Sequence, residues 1–175
     1  VLSMDVMLDL ETLSTNGNAV ILAVGAVEIK NKTIGREFYE RVSLQSSIDA
    51  AFTLDAPTIQ FWMTQNHTAQ ECLYGVNSIT KVLAEFARWI DCRSFVWGNG
   101  ASFDNAILAN AYTRVGQTIP WSYRKNQCYR TVKDIYPEVY QEANPMKHNA
   151  REDALCQAKH LIAINNQHPR VLGRV

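Results

Sequence analysis

With 175 residues, 47% of them apolar and 19% charged, the chain has material for one sizeable core and is too apolar for a disordered class. Lys plus Arg and Asp plus Glu each number 17, a balance that argues against an avid, nonspecific nucleic-acid binder. No apolar stretch approaches the roughly 20 residues a membrane helix needs, and no signal-peptide pattern opens the sequence.

Val6 to Leu8, Ala19 to Ile29 and Glu37 to Val42 read as strands rich in β-branched and aromatic residues. Asn16-Gly17-Asn18 and Lys30-Asn31-Lys32 mark the turns between them, so the three form an antiparallel meander. Asp55 to Asn66 reads as a short helix with Pro57 in its first turn. Asn77 or Ser78 caps the next helix, where Ile79, Val82, Leu83, Phe86, Ala87 and Ile90 fall on one apolar face. Ser94 to Trp97 is a fourth strand, followed by the turn Gly98-Asn99-Gly100. Ser102 caps a helix that runs to about Val115, where Gly116 ends it. Thr131 to Tyr136 is helical up to Pro137, Asn144-Pro145 begins a loop, and Arg151 to Asn165 is the last helix. The expected architecture is α/β, a single domain over 1–175 with its core at about 4–166. Cys72, Cys92, Cys128 and Cys156 form no CxxC pair, so they read as reduced thiols of a cytoplasmic protein. Met4 reads as the natural start, after Val1-Leu2-Ser3.

Four carboxylates and a histidine stand at the ends of these elements. Asp9-Leu10-Glu11-Thr12 follows the first strand, Asn99 to Asp104 follows the fourth, and His148 to Asp153 leads into the last helix. Acids at strand ends converge on one sheet edge and repel each other unless cations sit between them. Hard divalent cations favour such oxygen ligands, which points to metal-assisted chemistry on a phosphate ester. Asp9 and Glu11, two apart on a strand, face the same side; taken alone they read equally as a solvated strand edge. Asp104 alone reads as an acid favoured by a helix dipole. The nearby glycines would let the backbone approach a ligand closely. His148 and Asp153, five apart, converge only if the histidine lies in the loop before the helix. There it would suit a general base at neutral pH.

These segments resemble the DnaQ-like, DEDDh-type 3′–5′ exonucleases of the ribonuclease-H-like superfamily, over about Met4 to Ala163. Asp9 to Thr12 looks like the first exonuclease motif, Asn99 to Leu108 the second, and His148 to Asp153 the third. Position 149 is asparagine, not the tyrosine of the DEDDy branch. Pro57 to Gln65 and Trp97 to Gly100 are similar to a phage and prophage subgroup described as exonuclease-VIII-like or exoribonuclease-like. The resemblance implies a mixed five-stranded sheet flanked by helices, and two Mg²⁺ or Mn²⁺ ions on Asp9, Glu11, Asp104 and Asp153, with Asp9 bridging them. It implies that His148 deprotonates the attacking water, and that single-stranded DNA or RNA 3′ ends are shortened with release of a 5′-mononucleotide.

On this reading Thr12 bonds the terminal 3′-hydroxyl, and Leu13 and Phe103 flank the last base. Lys147 and Arg151 meet a substrate phosphate, and Leu10 and Asn99 complete the contacting set. Trp62 is a candidate for the same cleft. Arg124, Lys125, Arg130 and Lys133 read either as phosphate contacts or as a solvated face. The family includes homodimers, for which Trp62, Trp89 and Trp121 are the candidate interface residues. Two other readings stay open: a catalytically inert nuclease-like module that binds nucleic acid or protein, and a metal-dependent phosphatase or nucleotide hydrolase.

Overall fold

Strand β1 (Asp5–Thr12) shows how sequence period becomes architecture. Val6, Leu8 and Leu10 point into the larger apolar cluster, while Met7 points into a second one with Val27, Ile29 and Trp97. Alternate side chains therefore serve two layers, with Asp9 and Glu11 sharing the parity of Met7. The computed structural model describes residues 4–172; the reading of Val1-Leu2-Ser3 falls outside the described residues.

Strand β2 (Ile21–Lys30) is buried along all but its last residue, so helices cover both of its faces. Strand β3 (Thr33–Arg41) is an edge of mostly polar residues, all exposed or half-buried except Phe38. β1 pairs antiparallel with β2, and β2 with β3, giving the meander expected from the turns. Asn31 and Lys32 both have positive φ, 52° and 61°, as a tight two-residue hairpin of this hand requires. Strand β4 (Phe95–Gly98) adds parallel to β1, and β5 (Asn126–Cys128) parallel to β4, so the order is β3-β2-β1-β4-β5.

One side of the sheet carries α1 (Leu44–Asp49), α2 (Ala56–Met63), α4 (Ile79–Trp89) and α5 (Asp104–Arg114). The short α3 (His67–Gln70) and a 3₁₀ turn at Glu71–Tyr74 link α2 to α4. Helices α6 (Tyr129–Ile135) and α7 (Ala150–Gln167) frame the other side. Asp55 caps α2 through a 2.9 Å bond from the Thr58 amide, Ser78 caps α4, and Asn149 caps α7. The apolar face expected for α4 is buried at Ile79, Val82, Leu83 and Phe86.

Three features depart from expectation. Ser102 does not cap α5: the turn before the helix closes through backbone bonds from the Phe103 and Asp104 amides to the Gly100 carbonyl, and Phe103 occupies the cap position. Strand β5 is three residues of low strand preference, held by pairing to β4. Trp62 and Trp121 are buried, which removes them as interface candidates. Among the described residues no helix is long and apolar enough to cross a membrane.

Among the described glycines, Gly25, which pairs with Asp9 across the β1–β2 ladder, leaves the least room for a side chain. A Cβ there would stand 2.1 Å from the Ala150 carbonyl carbon and 2.3 Å from the Arg151 amide nitrogen, in the first turn of α7. The clash is with backbone, which cannot swing aside. Gly25→Ala is expected to destabilise the protein by about 3 kcal/mol, the upper part of the overpacking range. That corresponds to a fall of roughly 6–12 °C in Tm for a chain of this size, checked by thermal denaturation.

Candidate active site

Three chain segments deliver acids to the end of β1. Asp9 and Glu11 project from the strand on the side facing α7, just before a register shift between Glu11 and Thr12. Asp153 arrives on the first turn of α7. One carboxylate oxygen from each of Asp9, Glu11 and Asp153 lies within 4.8 Å of the others. Asp104 begins α5 and is buried beside them, its Oδ1 accepting the Leu10 amide at 3.1 Å. Gly98 makes room for this approach: a Cβ there would stand 2.3 Å from Asn105 Oδ1 and 3.0 Å from Asp104 Cβ. The close approach that glycine allows in this turn is thus made by the chain's own α5. Gly100, at φ +110°, supplies the backbone conformation that ends the turn.

Asp153 is held from two directions. The His148 amide donates to Oδ2 at 2.8 Å and Asn144 Nδ2 donates to Oδ1 at 2.8 Å. His148 lies in the loop before α7, at φ +63°, a left-handed conformation that histidine tolerates better than most side chains. Its ring meets Phe61 and Trp62 edge to face, with centroids 5.1 and 6.1 Å away. Trp62 is fixed in turn by a 2.8 Å bond from Nε1 to the Thr12 carbonyl.

A cleft of about 590 Å³ opens over this cluster. Its walls include Asp9, Leu10, Glu11, Asn99, Asn144, Lys147, His148, Asp153 and Gln157. Beside it lies a more apolar recess of about 350 Å³, reached past Leu10 and Glu11 and lined by Thr12, Pro57, Phe61, Trp62 and Phe103. The two cavities gather most of the residues singled out in the sequence, but not all. Leu13 faces the core, because its amide pairs with the Val20 carbonyl and its side chain is buried. Arg151 bonds Glu152 at 2.6 Å, approaches Glu37 at 3.8 Å and lies over the Tyr39 ring, toward β3 and off the cleft walls. Of the basic stretch only Lys133 lines the cleft. Arg130 donates to the Asn99 carbonyl at 2.8 Å, Lys125 covers the Phe95 ring, and Arg124 lies against Tyr123.

Two polar residues of this cleft that bond its acids escaped sequence reasoning. Asn144 appeared only as a loop former, and Gln157 not at all. Gln157 Nε2 donates to Asp9 Oδ1 at 2.8 Å. Its position one helical turn beyond Asp153 was the available signal, since residues four apart share a helix face.

Crowding shows in the acid equilibria. Asp9 is held well above the ordinary carboxylate range by loss of hydration and by the charges of Asp104, Glu11 and Asp153. Glu11 is pushed up to about 8 by burial, then by Asp153 and Asp104. Asp104 rises to about 7 through burial, against backbone donors and the Arg130 charge that lower it. Asp153 is also raised, mainly by burial. A group raised in the folded state binds its proton more tightly there than in the unfolded chain, whose carboxylates titrate near 4. Stability from these groups is therefore complete below about pH 4 and declines as pH rises toward about 8. In EDTA, urea unfolding should give a lower free energy at pH 8 than at pH 5. Asp104→Asn should flatten that slope, and a slope unchanged by the substitution would contradict the assignment.

The donor set is all oxygen, crowded and short of positive charge, which suits a hard divalent cation. A family model described as the 3′–5′ exoribonuclease Rv2179c-like domain matches residues 4–165. None of the curated proteins matches the chain. Among solved structures, one of exonuclease I aligns with a TM-score of 0.73 at 14% identity, over 97% of this chain and 42% of that one. The same enzyme of E. coli in complex with a dT13 oligonucleotide aligns at 0.73 and 13% identity, over 96% of this chain and 42% of that one. A zinc-bound E. coli complex with single-stranded DNA aligns at 0.71 and 14%, over 98% of this chain and 42% of that one. This chain thus spans about two-fifths of those proteins. At such identity the likeness establishes the ribonuclease-H-like fold, a mixed five-stranded sheet flanked by helices.

Proposed function

We propose that this chain, which belongs to the Rv2179c-like 3′–5′ exoribonuclease domain family, hydrolyses the terminal phosphodiester of single-stranded nucleic acid from the 3′ end. The convergence of Asp9, Glu11 and Asp153 beside Asp104 carries this reading, because it collects negative charge where a phosphate could enter only with cations. Asp9, Glu11, Asp104 and Asp153 would hold two Mg²⁺ or Mn²⁺ ions. When bound, such ions neutralise phosphate charge and make water a better nucleophile at neutral pH.

The residues divide the remaining work. His148, on the cleft wall, takes a proton from the attacking water. The water oxygen bonds to phosphorus as the bond from phosphorus to the 3′-oxygen of the preceding nucleotide breaks, and that oxygen takes up a proton from solvent. The products are a 5′-mononucleotide and a shortened strand with a free 3′-hydroxyl. The aromatic recess of Phe61, Trp62 and Phe103 accepts the last base by its face, which any base offers. Thr12, on the wall of the recess, would bond the 3′-hydroxyl, and Lys147 and Lys133 offer charge to phosphates in the cleft. The likeness of Pro57 to Gln65 and Trp97 to Gly100 supports a place in the exonuclease-VIII-like subgroup, with residues 4–166 as the core of one exonuclease domain.

The family description favours RNA, whereas the E. coli structures hold DNA. Matched 5′-labelled RNA and DNA oligonucleotides with Mg²⁺ or Mn²⁺ should therefore give a ladder shortening from the 3′ end, faster on RNA. EDTA or Asp104→Asn should abolish it. Absence of cleavage of both polymers with either metal would favour the inert binding module. His148→Ala should lower kcat about 10²–10⁴-fold while leaving Mn²⁺ binding, followed by calorimetry, close to wild type.

A further inference from the structure

Among the described residues that line the cleft, Gln157 is the one whose side-chain amide leaves a buried atom without a partner. It lies on α7, 6% exposed, on a buried face that is mostly apolar, with Ala150, Ala154, Ala158, Leu161 and Ile164, and whose other polar members are His160 and Asn165. An apolar side chain would fit most of that surface. The chain instead places there an amide that reaches Asp9 with Nε2, while Oε1 is buried with no partner among the described residues. The contrast with Asn144 is direct. That amide also holds an acid, Asp153, but its Oδ1 accepts the Met146 amide at 2.9 Å. With Asp9 ionised, as it must be to hold a cation, turning the Gln157 amide over would set its carbonyl against the carboxylate, two acceptors face to face. The arm that donates is thus fixed, and a buried acceptor on the cleft wall is left over.

We propose that Gln157 is a positioning residue of the cation centre: Nε2 fixes Asp9, and Oε1 accepts a hydrogen bond from water carried in by a divalent cation. The inference rests on the reading that the acids hold divalent cations. Small hard cations keep several waters when they bind protein carboxylates, and those polarised waters are strong donors. A neutral amide suits the task better than Lys or Arg. It orients the carboxylate without cancelling the charge that attracts the ion. Outer partners of this kind set the direction and basicity of metal-binding side chains.

The test titrates Mn²⁺ alone, without nucleic acid, into wild type and Gln157→Met by calorimetry. Methionine keeps the length and removes both hydrogen-bonding atoms. Mn²⁺ should bind the variant about 10–100-fold more weakly, with a Tm in EDTA no lower than that of wild type. At saturating Mn²⁺ the oligonucleotide KM should stay near wild type while kcat falls. A folded variant that binds Mn²⁺ as wild type does would overturn the positioning role. If wild type itself bound no Mn²⁺, the cation reading would fail first, and the two failures are thereby distinguished. Should the variant not fold, ¹⁵N spectra of wild type decide the matter. The Gln157 side-chain amide signals must shift as Mg²⁺ fills the site; signals that stay still while the Asp9 and Leu10 amides move would overturn the proposal.

Discussion

The first turn of α7 lies against β2 at a distance that only a hydrogen atom on Gly25 permits. Because Gly25 pairs with Asp9, this one approach decides how near α7 comes to the acid end of β1. Asp153 on that turn, Gln157 one turn later and the His148 loop just before it all take their places from the same contact. A second close approach, Asp104 against Gly98, works in the same way on the other side of β1. The site is thus set by two places where side-chain volume is missing as much as by the groups that are present.

What these approaches create is electrostatically unfavourable. Four carboxylates share a poorly hydrated space, and each is pushed toward its protonated form. The protein relieves them with weak, mostly neutral donors: the Leu10 amide on Asp104, Gln157 on Asp9, and Asn144 with the His148 amide on Asp153. Among the described residues no ion pair joins a basic side chain to any of the four, although Arg130 acts on Asp104, and Lys147 on Asp153, from a distance. Such an arrangement holds the acids in place and leaves their attraction for cations intact. The native state carries this repulsion as a local cost, offset by the two apolar clusters that clamp the sheet.

Much of this could be read in the sequence, for identifiable reasons. β1, β2 and the face of α4 carry strong periodic patterns, and the hairpin and cap residues sit where local chemistry demands them. The acid positions stood out because each lies at the end of such an element. β5 did not, since Asn126-Gln127-Cys128 has no strand signature and depends on β4 for its shape. Leu13 and Arg151 adjoin motif residues in sequence, yet a bulge after Glu11 and the pull of Glu37 and Glu152 turn their side chains elsewhere. Neighbourhood along the chain was a poor guide at those two points. Gln157 shows the converse: its residue type carries no distinctive signal in a helix, and only its place one turn beyond Asp153 pointed to the cleft.

The bond between Gln157 and Asp9 joins positions 148 apart, nearly the length of the chain. Chains are made from the N-terminus, and contacts of such separation carry a large closure entropy and form late. A nascent chain would hold Asp9, Glu11 and Asp104 long before α7 exists to complete the cluster. The order of synthesis thus works as a timer, withholding the assembled centre until α7 has been made.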